Sequence, residues 1–397
     1  MKLKFVLSIF FILNCLFPYI YLIPLDIDAQ PTAFILSVVL FFFYCKKIDK
    51  DNFLLFILFV ISFIFLLFSN LSFASFRSFY SYASLFFITF VSYKTLLYLK
   101  GIPYKLFTFS VMLWFIVGFI QFFLYPNFCT FLLRSEQGGF GLVTGRGVTS
   151  LSTEPSYYGM ICLLLLIILC LNFRYKNNFK LLFSFILIQL FIFSRSTTAV
   201  LVLTISIVIF LVYQGIKCNI RYLFFLLVFI LMIYYLIISL LVYISDYRIG
   251  SIIINFLSNP FELSAFDGSV QERFSHVYFS LYGTVKNYSL PHGYDNFYFL
   301  NQNNFEFLDV SEMRFSRIMS AFGSVLYELG FFSLIFFYVF LKSVRVLIKV
   351  NINNLFCVLM LVIILFVGFT FSTSIIPFMF GNILFLKKEY EKSLIKL

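Results

Sequence analysis

Long, uninterrupted apolar runs decide what this chain can fold into. They fall at 5–24, 32–45, 53–70, 76–98, 106–125, 156–172, 179–194, 197–214, 221–245, 319–341, 355–371 and 374–386. About 20 apolar residues at ~1.5 Å each cross the ~30 Å hydrocarbon layer of a bilayer, and a backbone in that layer must satisfy its own hydrogen bonds. The runs lack the alternation of barrel strands. They predict an all-α, polytopic integral membrane protein of about twelve transmembrane helices, the second and last of them short, forming one helical domain over 1–397. The lipid bilayer is its first expected partner. Only 12% of the residues are charged, and 62 are Phe, whereas an ordinary soluble domain carries roughly a quarter charged residues. A soluble fold and a disordered chain are both excluded.

The first run follows Lys2 and Lys4 as a signal peptide would, but no small-residue cleavage site lies near its end. Asn14 also stands where a lipoprotein Cys15 would need a small residue before it. The run therefore reads as a retained first helix.

The net charge of +12 lies between the apolar runs and not on a basic, aromatic-laced polar segment, so no nucleic-acid partner is expected. Counted over alternate loops, 20 basic residues fall on one side, together with both termini. Nine fall on the other: Arg77, Arg134, Arg146, Arg195, Arg248, Arg273, Lys286, Arg314 and Arg317. The positive-inside rule then places both termini in the cytoplasm and implies an even number of spans. The two sets also differ in kind. Inside, 17 of 20 are Lys; outside, eight of nine are Arg, whose rigid fork suits phosphate and carboxylate groups. Interfacial snorkelling with pairing to outer acidic residues would explain this without function. The functional reading is an anionic ligand at the outer face.

Three outer segments can house that ligand. The smaller loop, 126–155, holds Arg134, Glu136, five glycines between Gly138 and Gly147, and Arg146, and it leads into Ser-Thr-Glu-Pro-Ser-Tyr-Tyr-Gly at 152–159. The glycines lack the Lys-Ser/Thr ending of a nucleotide P-loop but can form a backbone anion nest. Pro155 suits the first turn of the next helix, with Ser152 or Thr153 as cap and Glu154 beside the positive helix end. The second segment, Ser194 to Thr198, holds Arg195 so close to lipid that it is a functional candidate by default, while Ser196 and Thr197 can cap the following helix.

The third is the large extracytoplasmic loop 246–318, 73 residues between the ninth and tenth helices, with both histidines, His276 and His292. Within it Val270, Phe274, Val277, Tyr278 and Leu281 are spaced as an apolar helix face, with Glu272, Arg273 and His276 on the polar side. This helix is expected to lie on the membrane surface over the site.

No HExxH or CxxC occurs, and of seven cysteines only Cys129 falls in an outer loop. No metal, cofactor or exported disulfide is expected. Asp26-Ile27-Asp28 is a DxD that could hold a divalent ion against a phosphate, although a short solvated turn is the simpler account, since every bilayer protein needs polar loop residues there.

The block from Arg146 through Gly-Val-Thr-Ser-Leu-Ser-Thr to Glu154-Pro155-Ser156-Tyr157-Tyr158-Gly159 resembles the R-x-x-S/G…EPS-x-x-G block of bacterial O-antigen and capsular polysaccharide polymerases. These are the Wzy-type proteins of the O-antigen polymerase/ligase superfamily. Phe-Ser-Arg195-Ser-Thr resembles their next short motif, and Gly268-Ser-Val-Gln-Glu-Arg273 resembles the arginine block in their large external loop. Ser324-Val-Leu-Tyr-Glu328-Leu-Gly330 resembles the helix that follows. The resemblance covers about 145 to 335. Related ligases commonly carry a His just before that last helix; here Arg314-Phe-Ser-Arg-Ile-Met-Ser-Ala has none, which favours polymerase over ligase.

The resemblance implies polymerisation of undecaprenyl-pyrophosphate-linked oligosaccharide units into O-antigen or capsular polysaccharide at the outer leaflet of the bacterial inner membrane. A flippase and a chain-length regulator of the same pathway would be partners. Arg146, Arg195 and Arg273 are then expected around the pyrophosphate leaving group, with Arg314 and Arg317 in reserve. Glu154 is the first choice of base for the acceptor hydroxyl, with His276 and Asp267 as alternatives. Ser156, Tyr157 and His276 are expected to touch substrate. The competing readings are a ligase-type glycan transferase, a transporter of the twelve-helix plan, and a glycosyltransferase using a lipid-monophosphate sugar with metal at Asp26 and Asp28.

Overall fold

A computed structural model of the chain describes residues 2–22, 29–133, 147–217, 268–297 and 318–395, with residues 221, 224, 227, 228, 231 and 232 between them. Among the described residues there are helices and no strand. In chain order they are α1 Lys2–Leu16, α2 Thr32–Tyr44, α3 Lys50–Phe68, α4 Phe73–Leu99, α5 Tyr104–Phe123, α6 Pro155–Asn172, α7 Phe179–Ile188 and α8 Thr197–Lys217. There follow α9 Gly268–Lys286, α10 Ala321–Leu329, α11 Ser333–Val350, α12 Asn354–Val367 and α13 Ile375–Ile395.

Six of these units are long and apolar enough to cross a membrane: α3, α4, α5, α6, α8 and the run Ala321–Val350, which joins α10 to α11. Thr32–Tyr44, Phe179–Ser194 and Asn354–Val367 are apolar but shorter. The chain is a helical membrane protein, and the expectation of about twelve full spans is corrected downward among the described residues. The causes are local. The run 5–24 is helical only to Leu16, because Pro18 disfavours helix at the residue before it. The run 355–371 stops at Val367, before Gly368. The run 319–341 continues to Val350 through a 3-10 turn at Gly330–Phe332, and the last run extends to Ile395. The ninth run lies largely outside the described residues.

Two helices form the centre. Every residue of α6 from Tyr158 to Leu169 is buried, as suits a helix that is apolar all round. α4 packs against α13, α3 and α2. Small residues permit the closest approaches. A Cβ at Gly159 would lie 2.6 Å from Ser196 Cβ and 2.8 Å from Ala199 Cβ, and one at Gly381 would lie 2.4 Å from Ser92 Cβ. The outward faces leave Phe42, Phe68, Phe76 and Leu334 exposed, an apolar surface that suits lipid and not water.

At one end of the bundle, which carries most of the lysines, two aspartates tie four helices. Asp49 at the start of α3 meets Lys94 of α4 at 2.8 Å and Lys388 of α13 at 3.2 Å. Asp51 meets Lys342 of α11 at 2.9 Å and also Lys387 of α13. Burial pulls the Asp49 carboxyl upward, but the hydrogen bonds from Lys94 and Lys388 outweigh it and hold the group below the usual carboxylate range. Lys387 is 5% exposed at its side chain. Asp51→Asn therefore strands a buried ammonium, and it should cost about 2 kcal/mol, discounted from the ~3–5 of a fully buried pair. Thermal unfolding of the detergent-solubilised protein measures it.

Candidate functional site

The candidate site lies at the opposite end, and a buried strap of non-helical chain builds its floor. Residues 147–153 are buried, where irregular backbone is tolerated in a membrane protein only if its polar groups are satisfied within the protein. Val148 N–H donates to Phe193 O (2.8 Å) and Ser150 N–H to Gln121 Oε1 (2.6 Å). Gln121 Nε2 donates back to Ser150 O at 3.0 Å, and Ser150 Oγ donates to Trp114 O at 2.9 Å. The strap thus rests on α5 and on the π-helical turn Gln189–Ser194. It delivers Glu154 and Pro155 to the start of α6. Pro155 is the first helical residue, as expected. The cap position is Glu154 itself and not Ser152 or Thr153, and its side chain makes no capping bond. Ser152 Oγ instead donates to the carbonyls of Thr149 and Glu154, at 2.8 and 2.7 Å.

The Glu154 carboxylate is held by the adjacent motif residue. Ser156 Oγ donates to Glu154 Oε2 at 3.0 Å, and Arg273 Nη2 donates to Ser156 Oγ at 3.2 Å. Arg273, from α9, is 4% exposed. Its Nη1 donates to Val367 O (3.4 Å) and Gly368 O (3.3 Å), the orphan carbonyls at the C-terminal end of α12, where the helix dipole also favours a cation. The guanidinium carbon sits 5.3 Å from the Tyr157 ring centroid, and that ring stacks on Phe369 at 5.7 Å. Glu154, Ser156, Tyr157 and Arg273, two sequence blocks more than a hundred residues apart, are thereby brought together.

The helix bearing Arg273 forms over the expected residues, with its polar side turned to the protein interior. Arg273, His276, Ser280 and Thr284 are buried, while Tyr278, Leu281, Tyr282 and Val285 are exposed. α9 packs on α10 and α12 and brings Arg273 to Ser156. His276 is buried with its ring stacked on Phe297 at 5.7 Å. Val270, Phe274 and Glu272 belong to side chains outside the described residues.

Arg195 does not join this cluster. It ends the π-helical turn with φ +44°, its side chain is exposed, and its guanidinium carbon lies 5.0 Å from the Phe122 ring centroid. This is the snorkelled arrangement. Ser196 Oγ accepts from Ala199 N–H at 3.2 Å and so caps α8. Arg146, Arg314, Arg317, Arg134, Glu136, Asp267, Asp26 and Asp28 lie outside the described residues.

A second carboxylate, which sequence reasoning passes over as a site, stands nearby. Glu328 of α10 is buried; its Oε1 accepts from Ser78 Oγ at 2.7 Å and its Oε2 from Tyr82 Oη at 2.5 Å, both on α4. The segment after α9 braces it. His292 N–H and Gly293 N–H donate to the carbonyls of Tyr327 and Glu328, at 3.2 and 3.1 Å. The His292 ring stacks on Tyr327 at 4.0 Å, and burial lowers its basicity. Gly330 (φ +54°) lets this segment pass, since a Cβ there would lie 2.4 Å from Ser289 O. The usable signal in the sequence is that Glu328 is the one charge inside the apolar run 319–341, and an ionisable residue within a span is a functional candidate by default.

The two carboxylate regions share a wall. One narrow cleft is lined by Tyr19, Tyr157, Met319 and the loop Gly368 to Thr373. The other, equally narrow, is lined by Arg77, Ser78, Ser81, Ile318, Ser324 and Glu328. Both include Thr370 and Ser372, whose hydroxyls are 2.6 Å apart. Chemically, the arrangement offers a buried guanidinium beside an aromatic face at one end and hydroxyls around a carboxylate at the other.

Compared with known proteins, the chain matches no family model and no curated sequence.

Proposed function

We propose that the protein polymerises lipid-pyrophosphate-linked oligosaccharide units into a surface polysaccharide. The glycosyl transfer would take place at the outer leaflet of the bacterial inner membrane, with both termini in the cytoplasm. The observation that carries the reading is the hydrogen-bonded relay Arg273–Ser156–Glu154. It joins the motif after the smaller outer loop to the arginine block of the large one, the two blocks on which the resemblance to Wzy-type polymerases rests. Breaking the bond between an anomeric carbon and a diphosphate needs charge stabilisation on the leaving oxygens. Arg273 supplies a fixed cation, held against the Tyr157 ring. Glu154, bound through Ser156, balances and orients that cation, so a second group is needed to take the acceptor proton. A flippase and a chain-length regulator would act before and beside this step.

Ser156→Ala should cut chain extension about tenfold, the equivalent of one charge-assisted hydrogen bond at ~1.4 kcal/mol per decade. Glu154→Gln should have a similar effect with the protein still folded. Sizing of surface glycans, with protein level checked by immunoblot, reads both. Full-length glycan in both variants would remove the relay from the chemistry. A ligase reading predicts transfer of finished chains without lengthening, and a transporter reading predicts loss of export instead of loss of length.

A further inference from the structure

We infer that Glu328 is the base of the acceptor side, its carboxylate taking the proton of the incoming sugar hydroxyl. This rests on the polymerase reading and deepens it. The geometry has four parts. Glu328 lines a narrow cleft whose free room is that of a water or a single hydroxyl group. That cleft meets the Arg273 side at Thr370 and Ser372. Each carboxylate oxygen receives one hydroxyl donor, from Ser78 and Tyr82, which fixes its position and leaves a second lone pair on each for a ligand. Finally, no Lys or Arg is paired with Glu328 among the described residues, so its charge is not committed to an ion pair as that of Glu154 is to the Arg273 relay.

A carboxylate kept inside an apolar run costs several kcal/mol unless it is used or neutralised. Two hydroxyl donors from α4 would serve a purely structural role no better than an apolar contact of the same shape. Ser81, Ser324, Thr370 and Ser372 surround the same cleft with hydroxyls, the lining that a polyhydroxylated ligand matches.

The acceptor hydroxyl gives its proton to a Glu328 oxygen while its own oxygen forms a bond to the anomeric carbon of the donor. The bond from that carbon to the pyrophosphate breaks, and the electron pair departs on the diphosphate beside Arg273. Glu328 then loses the proton to water through the open cleft. No oxidant or metal is required by this balance.

The test uses membrane vesicles from cells lacking the gene and carrying a variant. The substrate is the lipid-linked oligosaccharide that accumulates in those cells, and extension is followed over roughly pH 5 to 9. Wild type should lose rate on the acid side as the base is protonated. Glu328→Gln should lose at least about a hundredfold in rate, and its residual rate should no longer fall on that side. Glu328→Asp, which keeps the charge, should retain part of the rate with the acid limb displaced. The other groups facing Glu328 are Arg77 and Tyr82 of α4, Tyr294 and His292 of the bracing segment, and its neighbour Tyr327. Of these only His292 is an imidazole, whose basicity burial lowers, so His292→Gln is the control and should keep the wild-type limb.

Glu328→Gln with more than half the wild-type rate, or Glu328→Asp with an unmoved limb at normal protein level, overturns the inference. Loss of extension in Arg273→Ala with retention in Glu328→Gln would sink the base assignment alone. Retention in both would sink the polymerase reading itself.

Discussion

Cells whose only copy of this protein carries Arg273→Ala will display single repeat units and no long polysaccharide. Removing one fixed donor of developing charge typically costs 10²–10³ in rate, and a chain-extension process compounds that loss at every added unit. Arg273 also caps α12 through Val367 O and Gly368 O, so the alanine variant alone confounds stability with chemistry. Arg273→Lys separates them. It keeps a cation at the helix end but lacks the fork that reaches those carbonyls with Nη1 while Nη2 reaches Ser156 Oγ. We expect normal amounts of the lysine variant and at most about a tenth of the extension rate. Wild-type chain length in the lysine variant would mean that the fork is a structural cap only.

The second large effect concerns folding. Gly147→Ala places a Cβ 2.2 Å from both Phe193 O and Ser194 O. Both atoms belong to backbone that cannot swing aside, and the adjacent Val148–Phe193 hydrogen bond of 2.8 Å pins the strap there. The expected cost exceeds about 4 kcal/mol, in the range reserved for severe steric failures, and should appear as near-total loss of monodisperse protein after detergent extraction. Gly159→Ala should also be costly, because the Cβ atoms of Ser196 and Ala199 it would meet, at 2.6 and 2.8 Å, move only with the backbone of α8. A Gly147→Ala protein as stable as wild type would mean that the strap is not seated on the Gln189–Ser194 turn.

Much of this arrangement is legible in the residues. The apolar runs announce helices in lipid because length and hydropathy are local properties, and Pro155 marks the start of α6 by its own fixed φ. The excess of Arg on one side points to the end of the bundle where Arg273, Arg195 and Arg77 are found. What the residues do not carry is context. Whether Val277, Tyr278 and Leu281 face protein or lipid cannot be read from periodicity, since the same stripe serves as the inner face of a soluble helix and the outer face of a membrane one. Ser150 and Gln121 look like ordinary polar loop and helix residues, and only the fold shows each satisfying the other. Arg195 and Arg273 are equally plausible as site residues in sequence; one has Phe122 and open space beside it, the other a helix end and a serine. Glu328 is visible as a lone charge in an apolar run, but its role depends on Ser78 and Tyr82, some 250 residues earlier.

The most direct measurement takes the purified wild-type protein in proteoliposomes and supplies the lipid-linked oligosaccharide extracted from cells lacking the gene. The account predicts products that lengthen by whole repeat units, with one lipid pyrophosphate released per bond, and both slowed at least about tenfold with Arg273→Lys. Movement of the intact lipid-linked unit or of solutes across the bilayer, with no lengthening, would contradict it.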